Sequence, residues 1–495
     1  MAKWATRQDL APELPRVLGN VDYIREETLL HRIDGMLRNS GLEADFIEQT
    51  VAAANRAAGR EINGAGLDQV VTHASRALRC TLLRTLKGET HRGLSKLIAG
   101  MPLYQWFCRV SRFPLVRAPS KSTLQRYEQD TPIEFVQRIN ARLAQQATGP
   151  EARQKLELRR ALDVDAFFMD TCCVKLNIHF PVDWVLLRDV VRTSIKAIGL
   201  IRRHGLTCRM PLPATFMQAM NRHCIAMSQC RRRVDSRRQR KRTLRAMKSL
   251  VGVVRSHARR YRRALSERRL ETDLTEKEAQ RILDRLDGVE ANLPKALKQA
   301  HERIIGGRPV ASKDKILSLY EPNVHVVVRG KAGGEVEFGN TLLLCEQNQG
   351  LIVTHDLFRE QAPADARLTE QVAQRLEHLF PAAFHGAVKP ALAGDRGFHS
   401  RRNARILAVD FFNAVAAKAP AELRRQYRSR RFENAQRRRS QTEARVSIVT
   451  RCFIGDPLRN KGFASQQLRV EWAVLAHNFW VLARLPAVKK RRRAA

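Results

Sequence analysis

The stretch Arg160–Phe180, RALDVDAFFMDTCCVKLNIHF, decides how the rest of the chain is read. Leu162, Val164, Phe167, Phe168 and Met169 form an apolar, aromatic run that ends on a carboxylate, Asp170. A mostly apolar run of this length suits a strand buried on both faces. Open α/β sheets hold their ligands beyond the carboxyl ends of such strands. An acid in that place is a candidate metal ligand. A single Asp could equally cap a turn, and it is two further acids, Asp395 and Glu443, that tip the balance.

Composition narrows the partner. The chain has 495 residues, room for two to four domains and a sizeable core. Lys and Arg total 89 against 49 acids, a formal net charge of +40. A protein so basic needs a polyanion, and nucleic acid is the expected one. A membrane surface is the rival, but no apolar span of about 18 residues and no signal-peptide pattern is found. The expected location is therefore cytoplasmic, with no membrane partner. Nine scattered cysteines suit a reducing compartment. Cys208, Cys224 and Cys230, near His204 and His223, lack the spacing of a zinc finger.

Residues 1–150 read as a helical N-terminal domain. Ala52–Ala58 is Ala-rich, Leu78, Leu82, Leu83 and Leu86 keep helical spacing, and Gly88 offers a stop. After an amphipathic stretch holding Trp106 and Phe107, Ser120 caps a short basic helix, KSTLQRYEQ. Two readings stay open for 90–130. One is a helix-turn-helix with Lys121, Gln125 and Arg126 facing DNA; the other is a helical bundle with an ordinary solvated face. Beyond Pro181, Trp184, Leu187, Val191, Ile195 and Ile198 predict an amphipathic helix.

Residues 206–312 change character. Between Arg231 and Leu270 there are 17 Lys or Arg and two acids, Asp235 and Glu267. Leu244, Met247, Val251 and Val254 keep helical spacing through this run, which predicts a long helix, and Thr275 with Glu278 predicts a capping box at the start of a second. Charge so one-sided repels itself without a counter-charge, which backbone phosphates would supply. Arg237, Arg238, Arg240, Lys241 and Arg242 are thus candidate DNA contacts. From Lys315 the period shifts to two: Val324–Lys331, Val336–Gln347 and Leu351–Phe358 read as a meander of strands. Ala364–Phe380 reads as a helix, VKPALAGDRGFHS as a short strand ending at Asp395, and Arg405–Phe412 as one more strand. Gly397 permits a tight turn beyond the acid. A basic run leads to a helix carrying Glu443, and an apolar helix with a core histidine, His477, follows. KKRRR at 489–493 is a basic tail.

With these segments in order, the chain resembles the DDE transposases of bacterial insertion sequences, and within them the ISNCY-like group. Asp170-Thr171 followed by Asn177-Ile178-His179-Phe180-Pro181 resembles the first-aspartate motif. VVVRGKAGGEVEFGN resembles the family's Arg-Gly-Lys and Val-Glu-Phe-Gly strand pair. GDRGFHS resembles the second-aspartate motif, and QTEARVSIVTRCFIGDPLRNKGFASQQ the third-acid region. The likeness covers about 160–200 and 315–485, and is weaker over 70–130.

The resemblance implies an α/β fold: an RNase H-like mixed sheet flanked by helices at 155–205 and 313–485, interrupted by the basic helical insertion 206–312, with a tail at 486–495. It implies Asp170 on the first strand, Asp395 on the fourth and Glu443 on a later helix, as catalytic and metal-binding residues. It implies two Mg²⁺ ions, Mn²⁺ being possible, and an oligomer on double-stranded DNA, the element's terminal inverted repeats and its target. The family's Tyr and Arg seven and four residues before the third acid are Gln436 and Arg439 here, and its later Lys is Thr450 beside Arg451. Arg439 and Arg451 remain candidate end-DNA contacts. His179 and Asp183 read as structural residues or as end-DNA contacts in a second layer around the metals. The chemistry agrees with the residue types: paired Mg²⁺ ions activate a water or 3′-hydroxyl and relieve charge on the leaving oxygen, and such hard cations want carboxylates. A nuclease without strand transfer and a non-catalytic basic DNA-binding protein are the alternatives.

Overall fold

The computed structural model describes residues 14, 16–112, 115–230, 236–331, 334–386, 388–407, 409–412 and 420–488. The tail at 489–493 lies outside them. The chain divides into two units, one of residues 1–174, 341–358 and 362–495, the other of 175–340 and 359–361. It is a mixed α/β protein.

The first unit opens with helices α1 (Val21–Asn39), α2 (Leu42–Ala58) and α3 (Ala65–Lys87). Gly88, at φ +63°, ends α3 where the sequence placed a stop. A fully buried Arg79 on α3 ties the three together through Asp34 (2.8 Å) and Glu43 (2.8 Å). The amphipathic stretch that follows is two helices, α4 (His91–Gly100) and α5 (Pro102–Phe107), parted at Met101. Pro102 is the cause, since it has no amide hydrogen and suits only a first helical turn. Next come the hairpin β1 (Ser111–Arg112) and β2 (Leu115–Val116), then α6 (Lys121–Gln129), α7 (Ile133–Thr148), α8 (Ala152–Lys155) and β3 (Ala166–Lys175). Asp170 therefore stands in the middle of its strand, not at the end. TCCVK continues the strand because Cys172, Cys173 and Val174 are small or β-branched and buried.

The second unit is built on α9 (Asp183–Arg203), α10 (Pro213–Gln229), α11 (Ser236–Glu267) and α12 (Glu276–Ala300). Leu187, Val191 and Ile198 of α9 share one buried cluster with Leu244 and Val251 of α11 and Leu286 of α12. This overturns a sequence-based boundary. The helix after Pro181 packs with the basic helices and belongs to their unit, so the division falls at 175 and 340, not at 206 and 312. The capping box at Thr275 and Glu278 is present. Strands β4 (His325–Lys331) and β5 (Gly334–Gln347) pair antiparallel, His325 opposite Gly339.

The chain re-enters the first unit along β5, then runs through β6 (Ile352–Leu357), α13 (Asp365–Leu379), α14 (Pro381–Phe384), β7 (Ala391–Ala393), α15 (Asn403–Ile406), β8 (Asp410–Phe411), α16 (Pro420–Tyr427), α17 (Arg430–Ile448) and α18 (Phe463–Leu482). Of the expected strand at 405–412, Arg405 and Ile406 end α15, and among the described residues only Asp410–Phe411 is strand. Within this unit the sheet is mixed, in the order β6-β5-β3-β7-β8. β5 and β6 are antiparallel, whereas β3, β7 and β8 are parallel. Helix α18 is buried on nearly every face because α3, α7 and β6 surround it. The residues 1–150 are thus one core with the closing helix rather than a domain apart. Asn478 donates to and accepts from the Ile352 backbone (2.9 Å each). His477 is a core residue, its imidazole pushed down to about 3 by burial and by Arg445.

One carboxylate fixes α17 to the sheet. Glu346 on β5 is 1% exposed. It accepts from Arg438 (3.1 Å), Thr442 (2.7 Å) and Arg445 (3.1 Å), which fall on one stripe of the helix. Arg438 also lies over the Phe168 ring of β3 at 4.7 Å and donates to the Asn348 carbonyl (3.0 Å). Gly350 is glycine for two reasons: its φ is +92°, and a Cβ there would collide with the Arg445 guanidinium. Removing Glu346 strands two half-buried arginines. Glu346→Ala is expected to cost about 3–5 kcal/mol in urea unfolding of the unit, whereas Glu433→Ala, an exposed acid on the same helix, should change the midpoint little.

Candidate catalytic site

The parallel ladder between β3 and β7 brings two acids abreast. Its last partners are Phe168 and Ala393. Two residues further on each chain stand Asp170 and Asp395, so both follow on the face of those partners. The Thr171 amide donates to Asp170 Oδ1 at 2.7 Å. Asp395 leaves the strand in extended conformation and caps a 3₁₀ turn, accepting from the Gly397 amide at 2.8 Å. Gly397 is needed here for space, since a Cβ would come within 2.5 Å of Asp365 Oδ2. Glu443 lies on α17, one position beyond the stripe that grips Glu346, and Arg439 approaches its Oε1 at 3.5 Å.

Electrostatics ties these groups together. Burial, with Asp395 and Glu443 adding repulsion, raises the Asp170 carboxyl from 3.8 to about 6 against the opposing pull of the Thr171 amide and Arg439. Burial and Asp395 also raise Asp365 above the usual range. Asp170 thus feels both of the other acids singled out in the sequence, and a fourth, Asp365, feels Asp395. Sequence reading missed Asp365 because an acid in the first turn of a helix is the ordinary dipole-favoured residue. It missed Glu346 and Arg438 because nothing in a strand or a basic helix announces a buried pair. Among the described residues, no three of His, Cys, Asp or Glu stand close enough to hold one ion. The carboxylates are within electrostatic reach, not at shared coordination distance.

The remaining candidates divide by location. His179 pairs with Asp189 (2.7 Å), and Asp183 accepts from Gln299 and Arg303 (2.8 Å each), all inside the second unit. Lys121 and Arg126 are exposed on α6 and Gln125 is half-buried. The short turn of a helix-turn-helix is not present: residues 108–120, with the β1–β2 hairpin, separate α5 from α6. On α11, Arg237, Arg238 and Arg242 are exposed, and Arg240 and Lys241 half-buried. Farther along, Arg255 and Arg259 pair with Glu290, and Arg262 with Asp287. Among the described residues, no acidic partner stands beside the cations of the first half of α11. Arg439 faces Glu443, while Arg451 is exposed beyond α17.

The raised Asp170 predicts a pH signature. Its proton is held more tightly in the folded chain, so stability present below pH 3.8 is lost as pH rises to about 6 and beyond. Asp170→Asn is expected to melt above the parent protein at pH 7.5, by at most about 3 kcal/mol, and to lose that advantage in acid. Melting curves across this range check it. Comparison of the chain with protein-family models, with curated proteins and with solved structures finds no match.

Proposed function

We propose that the chain is a DDE transposase, an enzyme that cleaves DNA strands and joins their 3′ ends to a target, built on an RNase H-like catalytic domain. The observation that carries this reading is the cluster of Asp170, Asp395 and Glu443. They lie 225 and 48 residues apart in sequence, yet each of the last two repels the Asp170 carboxylate. In support, Asp170 lies on β3, the first strand of the mixed sheet, Asp395 just past β7, a later strand parallel to it, and Glu443 on the helix α17 that follows. The net charge of +40 and the bare cations of α11 supply what a polyanionic substrate needs.

The donor set fits a hard divalent cation: carboxylates gathered near one another, with the Asp170 carboxyl raised by burial and by its acidic neighbours, and with Arg439 beside them. Asp170, Asp395 and Glu443 would hold Mg²⁺ or Mn²⁺, which when bound lowers the pKa of an attacking hydroxyl and neutralises the leaving oxygen. Asp170, fixed by the strand and by the Thr171 amide, orients the pair; Glu443 reaches in from α17. Arg439 stands 3.5 Å from Glu443 on the same helix. Oligomerisation on paired element ends belongs to the same reading, as does a place at the nucleoid of a prokaryotic cytoplasm. No helix among the described residues is long and apolar enough to cross a membrane.

One observation favours a non-catalytic DNA-binding protein instead, namely that the acids do not stand at ligating distance among the described residues. Two measurements separate the readings. Mg²⁺ is expected to raise the melting temperature of the parent chain and not that of Asp170→Asn. With duplex DNA carrying the element's ends, Asp170→Asn and Asp395→Asn should reduce Mg²⁺-dependent cleavage to background while DNA affinity stays unchanged. Cleavage retained in either variant rules out the assigned role. Pre-cut ends that join to a target identify a transposase, and cutting without joining identifies a nuclease.

A further inference from the structure

A groove of about 990 Å³ opens in the first unit between the start of α4, α6 and the segment that joins α17 to α18. None of the candidate carboxylates lines it. Two residues singled out in the sequence on unrelated grounds, Gln125 and Arg451, meet in its wall. Beside them stand Arg459 and Lys461, which like Arg451 are exposed and have no acidic partner among the described residues.

The floor is a fixed polar lattice. Glu128 of α6 accepts from Arg84 of α3 (2.6 Å) and pairs with His91 of α4 (2.8 Å). Against burial, which would raise it, the His91 hydrogen bond and Arg84 hold Glu128 down to about 2. That acid is already spent on the floor and cannot neutralise the rim. Arg84 is 8% exposed, and its Nε has no hydrogen-bond partner. Arg469, completely buried beneath, is pushed down to about 9 by burial and by Arg84. Glu89 and Asp456 also line the groove, so its five cations, Arg84, Arg451, Arg459, Lys461 and Arg469, stand against three acids, one of them paired with Arg84, and leave an excess of positive charge for an anion.

We infer that this groove is a second DNA-binding seat, one that grips the phosphodiester backbone of duplex DNA away from the acid cluster. Its volume exceeds what one phosphate fills, and its cations are spread along the rim, which suits a tracked backbone rather than a single ion. Such contacts position DNA and carry no sequence information. The inference rests on the DNA reading given above, and deepens it by locating a grip.

Counterion release gives the test. Binding of the full chain to a duplex fragment is followed by fluorescence anisotropy across a range of NaCl concentrations. Each phosphate contact contributes about 0.9 to the slope of log affinity against log salt. The double variant Arg459→Gln, Lys461→Gln is expected to bind more weakly, with a slope shallower by about 2. Arg56→Gln, Arg60→Gln removes the same charge from exposed positions off the groove and should leave the slope unchanged. All four residues are exposed, and far-UV circular dichroism verifies that both variants keep the fold. Arg459→Glu, which reverses one charge, should lose more affinity than Arg459→Gln. Equal slopes for the groove variant and the control overturn the seat and leave DNA binding standing. A parent chain that does not bind DNA overturns the seat together with the reading beneath it.

Discussion

A carboxylate sealed between a strand and a helix sets the geometry on which the candidate site depends. Glu346 has almost no contact with solvent, so its charge is tolerable only while Arg438, Thr442 and Arg445 surround it. Those three residues fix how far α17 is rotated about its axis. Glu443 follows Thr442 by one residue, about 100° around the helix. The grip on Glu346 therefore decides which way Glu443 faces, although the two acids never touch in this account. Arg438 adds a second anchor by lying over Phe168, two residues before Asp170 on β3. One arginine thus references the helix acid to the strand acid.

This explains which parts of the architecture could be read from sequence. Helices with a long apolar stripe were legible: the spacing through Leu244, Met247, Val251 and Val254 gave α11, and Gly88 gave the end of α3. The meander at 324–358 was legible because AGG and NQG separate runs of period two. The acids were legible by their place in motifs. Three things were not. The end of β3 was misjudged, since a polar residue can sit in the middle of a buried strand when a backbone amide receives it, as Thr171 does for Asp170. The short β8 was overdrawn, because apolar content at 405–412 serves a helical turn as well as a strand. Unit boundaries were misplaced, because an apolar stripe says that a helix packs without saying against what. Helix α9 found its match in α11 and α12.

Charge is distributed with the same economy. The chain is strongly basic, yet its acids are not spread as random relief. Along α11 they neutralise the second half, through Glu290 and Asp287, and leave the first half bare. At the sheet they do the reverse: burial, with neighbouring acids adding to it, raises the proton affinity of Asp170 and Asp365. A cluster of that sign inside a chain of net charge +40 is costly in isolation. Long-range attraction from the surrounding cations lowers the cost, and a polyanion drawn to those cations would raise it again. The acids and the substrate would therefore repel each other unless a third charge stands between them.

That constraint also says where the site can adjust. Asp170 is held by a strand paired into the sheet and by an adjacent amide. The backbone at Glu443 is held by the grip on Glu346. Asp395 differs, because it lies past the end of a three-residue strand and opens a 3₁₀ turn. Gly397 lets Asp365 crowd against that turn, so the two acids repel across a gap with no room for a side chain. Asp395 is thus held by a turn, Asp170 by a paired strand and Glu443 by a helix.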